Sequence, residues 1–294
     1  TATDKYTGIA NIKIPIYNME LNNGTLPIFL SYCASGIRAD DLTTVVGLGW
    51  RLSVGGKITR VVRGEPDNFD QLSVTMDILQ WTGENYEKWH TKEWDTQADI
   101  YYFELPNLSG SFVFDANKKA HPIPYQNVKI EFDDTNQKFR IYDEKGTCYY
   151  FNTADFIMEY FPIIPDQETK EVRKYRSSWY LDKIEFLNGD IVSFNYIEGK
   201  QITYKNNHCI AKLNYVLGDI KSQSMGEIDV APQIQNTKPK YLSRITYKEQ
   251  QIDFLYDIGG DYPNMKKLNT ITTSVNKPES NLITRTFKFL YGKF

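Results

Sequence analysis

The chain has 294 residues, with 34 basic against 37 acidic side chains and a formal net charge of −3. So even a balance excludes a whole-chain field that would draw a nucleic acid or an anionic membrane. No apolar run approaches the ~18 to 20 residues of a membrane-spanning helix, and the length allows roughly three quarters of the unfolded surface to be buried.

The 21 tyrosines and 16 phenylalanines suit pleated, half-buried surfaces, which favours β structure. Cys33, Cys148 and Cys209 are far apart and without CxxC or metal-ligand spacing, so separate buried thiols are expected before a single disulfide. In chain order, Ile12, Ile14 and Ile16 alternate with Lys13, Pro15 and Tyr17, and after Asn22-Asn23-Gly24 the alternation resumes at Leu26, Ile28, Leu30 and Tyr32. A hairpin is predicted, with both strands at a sheet edge or with Pro15 and Pro27 placed where a missing N–H faces no partner.

The densest pattern in the chain runs from Val46 to Gly64. Leu48, Trp50 and Leu52 share one parity and are expected to face the core, while Gly47 and Gly49 leave room for a close backbone. Gly55-Gly56 predicts a two-residue hairpin turn with positive φ. Beyond it Ile58, Arg60 and Val62 alternate with Thr59, Val61 and Arg63, which puts Arg60 and Arg63 on opposite faces. Beside Trp50 the two could serve an anion or a glycan, but an inward arginine more often pairs with a carboxylate such as Asp40, Asp41 or Glu65.

The run Gly47-Leu48-Gly49-Trp50, Gly55-Gly56, Ile58-Thr59-Arg60, Arg63-Gly64, followed by Pro66-Asp67, resembles the N-terminal signature of the Rhs and YD-repeat proteins. The segments Thr7 to Tyr17, Leu26 to Tyr32 and Ser35 to Arg38 are similar to what precedes that signature in Bacteroidetes-type members. The resemblance covers about the first quarter of the chain. It implies part of a β-built shell, related to the shell-forming components of insecticidal toxin complexes, with no chemistry of its own in this segment.

From Asp67 to about residue 98 the alternation stops, and Leu72, Met76 and Leu79 at helical spacing predict a short helix near residues 70 to 81, with Asp67 or Asp70 as its cap. Trp81, Trp89 and Trp94 follow among charges, either packed as a lid or available as a platform for sugar rings. Strands resume at Ile100 and continue as a meander through Tyr150, and the acidic turns at 133–136 and 143–146 lack the ligand register of a calcium loop.

The last part holds a degenerate repeat. Leu181-x-x-Ile184 with Phe194-x-Tyr196 recurs as Leu242-x-x-Ile245 with Phe254-x-Tyr256, and again as Leu268-x-x-Ile271 with Phe289-x-Tyr291. Each unit is two strands joined by a polar turn, and the units resemble diverged YD repeats, although only Tyr256-Asp257 keeps the aspartate. Residues from about 198 to 240 form an insertion between the first two copies. Residues 1–165 are expected as one region and 166–294 as the repeat region.

The expected fold is all-β, with successive antiparallel hairpins in a curved, extended, shell-like sheet and a short helical insertion. His90, His121 and His208 have no motif around them, and no catalytic residue, cofactor or metal ligand is expected. The resemblance implies a non-enzymatic structural module of a secreted or cell-surface protein, enclosing or presenting a C-terminal segment. A surface glycan-binding module using the tryptophan-bearing insertion is the competing reading, and a glycoside hydrolase the third, since paired carboxylates leave no local spacing. The expected partners are the remainder of a longer chain of its own, or a second copy, through exposed strand edges such as Phe287, Phe289 and Tyr291.

Overall fold

The computed structural model describes residues 2–3, 10–22, 24–33, 42–64, 66–67, 82–83, 97–115, 117–161, 171–209, 230–277 and 280–292. The predicted helix near 70 to 81 lies outside them, as do Trp81, Trp89, Trp94, His90, Asp40, Asp41 and Glu65. The strands are β1 (Ala2–Thr3), β2 (Ala10–Leu21), β3 (Gly24–Cys33), β4 (Trp50–Ser53), β5 (Lys57–Val61), β6 (Ile100–Leu105), β7 (Leu108–Phe114) and β8 (Ala120–Ile123). Next come β9 (Lys129–Asp133), β10 (Lys138–Tyr142), β11 (Cys148–Phe151), β12 (Thr153–Phe161), β13 (Glu171–Tyr180), β14 (Lys183–Glu185) and β15 (Ile191–Glu198). The chain continues through β16 (Ile202–Cys209), β17 (Val230–Thr237), β18 (Lys240–Tyr247), β19 (Gln250–Ile258), β20 (Lys266–Lys277) and β21 (Ser280–Lys288).

The fold is all-β, and its antiparallel strands divide into three open sheets. A four-stranded sheet has the order β1-β2-β3-β4, a nine-stranded sheet the order β21-β20-β19-β18-β15-β14-β11-β10-β9, and an eight-stranded sheet the order β16-β17-β12-β13-β5-β6-β7-β8. Period-two patterning explains why these segments are strands. In β6 Tyr101, Phe103 and Leu105 are buried while Tyr102 and Glu104 face out, and in β10 Phe139 and Ile141 are buried around an exposed Arg140.

One hydrophobic cluster draws on all three sheets, from Met19 and Ile28 through Phe103 and Trp179 to Ile245 and Ile271. Trp179 of β13 is fully buried, stands edge-on to Phe139 of β10 at 4.9 Å between centroids, and donates from Nε1 to the Gln137 carbonyl at 2.9 Å. It therefore ties the eight-stranded sheet to the nine-stranded one. The N-terminal sheet is joined to the repeat strands by Asn22 N–H donating to the Tyr247 hydroxyl at 3.0 Å and Gln250 Nε2 donating to the Glu20 carbonyl at 2.9 Å.

The proline placement follows the sequence expectation. Pro15 lies beyond the short β1 pairing, which covers only Ala10 and Asn11 of β2, and Pro27 lies beyond the β4 pairing, which covers Phe29 to Tyr32 of β3. Neither residue is asked for a second ladder donor. Strands β12 and β13 pair with each other across residue 165. Within 198–240, β16 and β17 form a hairpin that adds to β12 at the end of the eight-stranded sheet.

Candidate functional site: a glycine-rich strap along the repeat row

The Gly55-Gly56 hairpin predicted from the sequence is corrected by the topology. Strand β4 ends at Ser53 in the four-stranded sheet and β5 begins at Lys57 in the eight-stranded one, so the glycines carry a crossing between sheets. Only Gly55 has positive φ, at 74°. Gly56 is required for space, because a Cβ there would lie 2.8 Å from the Glu104 carbonyl oxygen and 3.2 Å from Leu181, while one on Gly55 would lie 3.3 Å from the Phe194 ring. Two adjacent glycines look alike in sequence whether they turn a hairpin or pass between packed sheets.

The same segment runs along the repeats. Leu181 N–H donates to the Gly56 carbonyl at 3.0 Å, and Leu268 N–H donates to the Val45 carbonyl at 2.7 Å. Leu181 and Leu268 open the first and third copies, so the stretch from Val45 to Gly56 is a strap fastened to both. Thr43 N–H reaches the Asp261 carboxylate at 2.6 Å, in the turn that leads to the third copy. Gly47, Gly49 and Gly64 have positive φ of 109°, 73° and 79°. Thr44 Oγ1 donates to the Trp50 carbonyl at 2.6 Å. Trp50 itself is half-buried, not fully inside, and lies 5.0 Å from the Tyr32 ring, which passes directly over Gly49.

Each repeat closes with the same lock. The hydroxyls of Tyr196, Tyr256 and Tyr291 donate to the carbonyls of Leu181, Leu242 and Leu268 at 2.9, 2.8 and 2.6 Å. The leucine and isoleucine of every copy are buried, from Leu181 and Ile184 to Leu268 and Ile271. A bulge recurs at one register: Asn195 faces Arg244 and Tyr196 faces Leu242, just as Leu255 faces Thr270 and Tyr256 faces Leu268, so Ser243 and Asn269 are the extra residues. The leucine-to-tyrosine pattern seen in the sequence is thus one physical unit repeated three times.

A neutral phenol donates this bond and a phenolate cannot. Burial raises the pKa of all three phenols above the ordinary 10.0, Tyr291 to about 12. A raised folded-state pKa means that the stabilisation is whole below about pH 10 and is lost as the pH climbs toward the folded values. The melting temperature is therefore expected to stay level from about pH 7 to 10 and to fall between about pH 10 and 12, less steeply in Tyr256→Phe than in the parent. A level melting temperature through pH 12 would contradict the lock.

Arg60 is buried on the same face as Ile58, and its partner is Asp99 rather than any of the carboxylates expected beside it. Arg60 Nε donates to Asp99 Oδ2 at 2.6 Å, and its other arm donates to the Asp67 carbonyl at 2.7 Å. Asp99, fully buried, also accepts from the backbone N–H of Arg63 at 2.8 Å and of Asp67 at 3.1 Å, and Asp99 N–H donates to Asp67 Oδ2 at 2.8 Å. The two ends of the excursion between Asp67 and Asp99 are thereby clamped together on β5. The exposed Arg63 contributes its backbone here.

Other chemistry-bearing groups serve turns and core. His121 Nε2 lies 2.7 Å from Asp115 Oδ2, while Asp115 Oδ1 accepts from the N–H groups of Asn117 and Lys119, which closes the β7–β8 turn. Cys148 is a buried free thiol whose pKa burial pushes up. The side chains of Cys33, Cys209 and His208 fall outside the description. Among the described residues no group of three or more His, Cys, Asp or Glu is placed to hold a metal ion, and no helix is long and apolar enough to cross a membrane.

Fold and strap together define an antiparallel β module of three sheets carrying a row of tyrosine-locked repeats. Among solved structures, the N-terminal domain of effector protein SpvB from Salmonella typhimurium strain LT2 aligns with 95% of this chain and 99% of its own, at 9% identity and a TM-score of 0.41. The Photorhabdus luminescens Tc holotoxin pore aligns with 98% of this chain at 9% identity and a TM-score of 0.42, and the alignment spans 14% of that chain. No protein-family model and no curated protein sequence matches.

Proposed function

We propose that this chain is a non-enzymatic structural module of a secreted or cell-surface protein of the Rhs and YD-repeat kind, a section of β-shell that encloses or presents another segment. The observation that carries this reading is the use made of the sequence signature. Gly55 and Gly56 fit the crossing between sheets, Arg60 clamps the excursion, and the strap fastens the first and third repeats. Each of these contacts holds strands together, which is the use a structural module makes of such residues.

The test is a glycan array with the intact chain, alongside Trp89→Ala and Trp94→Ala variants. Silence is expected from all three proteins. Sub-millimolar binding by the parent that either substitution removes would replace this reading with a glycan-binding module, whose platform would be the tryptophan-bearing insertion.

A further inference from the structure

Each repeat prepares the edge on which the following one pairs. In the second copy β19 pairs with β18 only as far as Asp253, and from Phe254 onward its ladder partner is β20 alone, with Phe254 opposite Ile271 and Tyr256 opposite Leu268. The first copy follows the same rule, with Phe194 opposite Ile245 and Tyr196 opposite Leu242. In the third copy the corresponding residues are Phe289 and Tyr291. They lie just past the end of β21 and, among the described residues, belong to no ladder. They are nonetheless held in repeat geometry, because Phe289 N–H donates to the Asn269 carbonyl at 2.8 Å, as Phe194 N–H does to Asp182 at 2.8 Å, and the Tyr291 lock is closed. Leu290 between them is 86% exposed.

We infer that residues 288–292 are a preformed docking edge for one kind of partner, an antiparallel strand of the Leu-x-x-Ile repeat type, whose leucine sits opposite Tyr291 and whose isoleucine sits opposite Phe289. The inference deepens the structural-module reading and rests on it for the meaning of the repeats. The occupant follows from continuity: the two earlier edges of this geometry are both covered by such a strand, β18 and β20. A second copy of this chain does not offer one, since β14, β18 and β20, the Leu-x-x-Ile strands, already have neighbours on both sides. Beside the docking segment, β21 discourages unspecific pairing through the bulge at Thr284, whose hydroxyl bonds to Thr273, and through exposed Arg285.

The experiment extends the intact chain by a copy of its own residues 260–277 placed directly after Phe294. The copied Leu268 then follows Tyr291 by twelve residues (294 − 291 = 3, and 268 − 259 = 9), the interval that separates Tyr256 from Leu268 (268 − 256 = 12). Amide exchange at residues 288–292 is expected to slow on the order of tenfold or more relative to the unextended chain. The gain is expected to disappear when the appended copy alone carries Leu268→Lys and Ile271→Lys. Unchanged exchange in an extended chain whose native Leu268 amide remains protected would overturn the inference. So would an unextended chain that sediments as a dimer with residues 288–292 already protected, because a second copy would then be the occupant. Neither result depends on the glycan array, so the two readings fail separately.

Discussion

Replacing Arg60 with methionine is expected to destabilise the chain by about 3 to 5 kcal/mol, read from denaturant unfolding monitored by circular dichroism. The magnitude comes from what is left behind. Asp99 is fully buried, and without the guanidinium it retains only backbone N–H groups to balance its charge. Removing both charges in Arg60→Met with Asp99→Asn is expected to recover part of the loss, because no unpaired ion remains. A loss under about 1 kcal/mol in the single variant would mean that water reaches the clamp and that the ends at Asp67 and Asp99 are held by something else.

Trp179→Ala is expected to cost about 3 to 5 kcal/mol by the same measurement. The side chain is fully buried between Phe139, Tyr101 and the Gln137 carbonyl, so its removal leaves a cavity between two sheets and an acceptor without its donor. Trp179→Phe is expected to cost less, since most of the apolar contact survives. If the alanine variant unfolds with the parent, the two sheets do not share the core described.

The repeats were legible because their determinants are local. Leu242, Ile245, Phe254 and Tyr256 lie within one hairpin, and their recurring spacing marks the unit in the sequence, although Leu242 and Ile245 are of opposite parity and only the bulge at Ser243 brings both to the core. The prolines were legible for the same reason. What could not be seen is how strands distribute among sheets. Ser53 and Lys57 are four positions apart and belong to different sheets, a fact that depends on β13 and β6 arriving beside β5.

Distance along the chain hid the clamp and the tryptophan. Parity put Arg60 and Arg63 on opposite faces without saying which is the inner one, and the carboxylate that Arg60 meets lies 39 positions away across the excursion, whereas nearer acids were more natural candidates. A single aspartate directly before the strand at Ile100 was the available signal. Trp50 drew attention through its glycines and is half-buried, whereas Trp179, flanked by Ser178 and Tyr180 with no motif, is the one at the centre. Burial of that kind is decided by packing between sheets, to which single-strand periodicity is blind.

The central claim is that the glycine-rich strap is a working part of the repeat row, and native-state hydrogen exchange at Leu181 and Leu268 tests it most directly. Their amides donate to the Gly56 and Val45 carbonyls of the strap. Both are predicted to exchange only through global unfolding, at one common free energy shared with core amides such as Ile245 and Phe254. Exchange of either amide through local opening, orders of magnitude faster than Ile245, would show that the strap lies loosely on a row of repeats that stands without it.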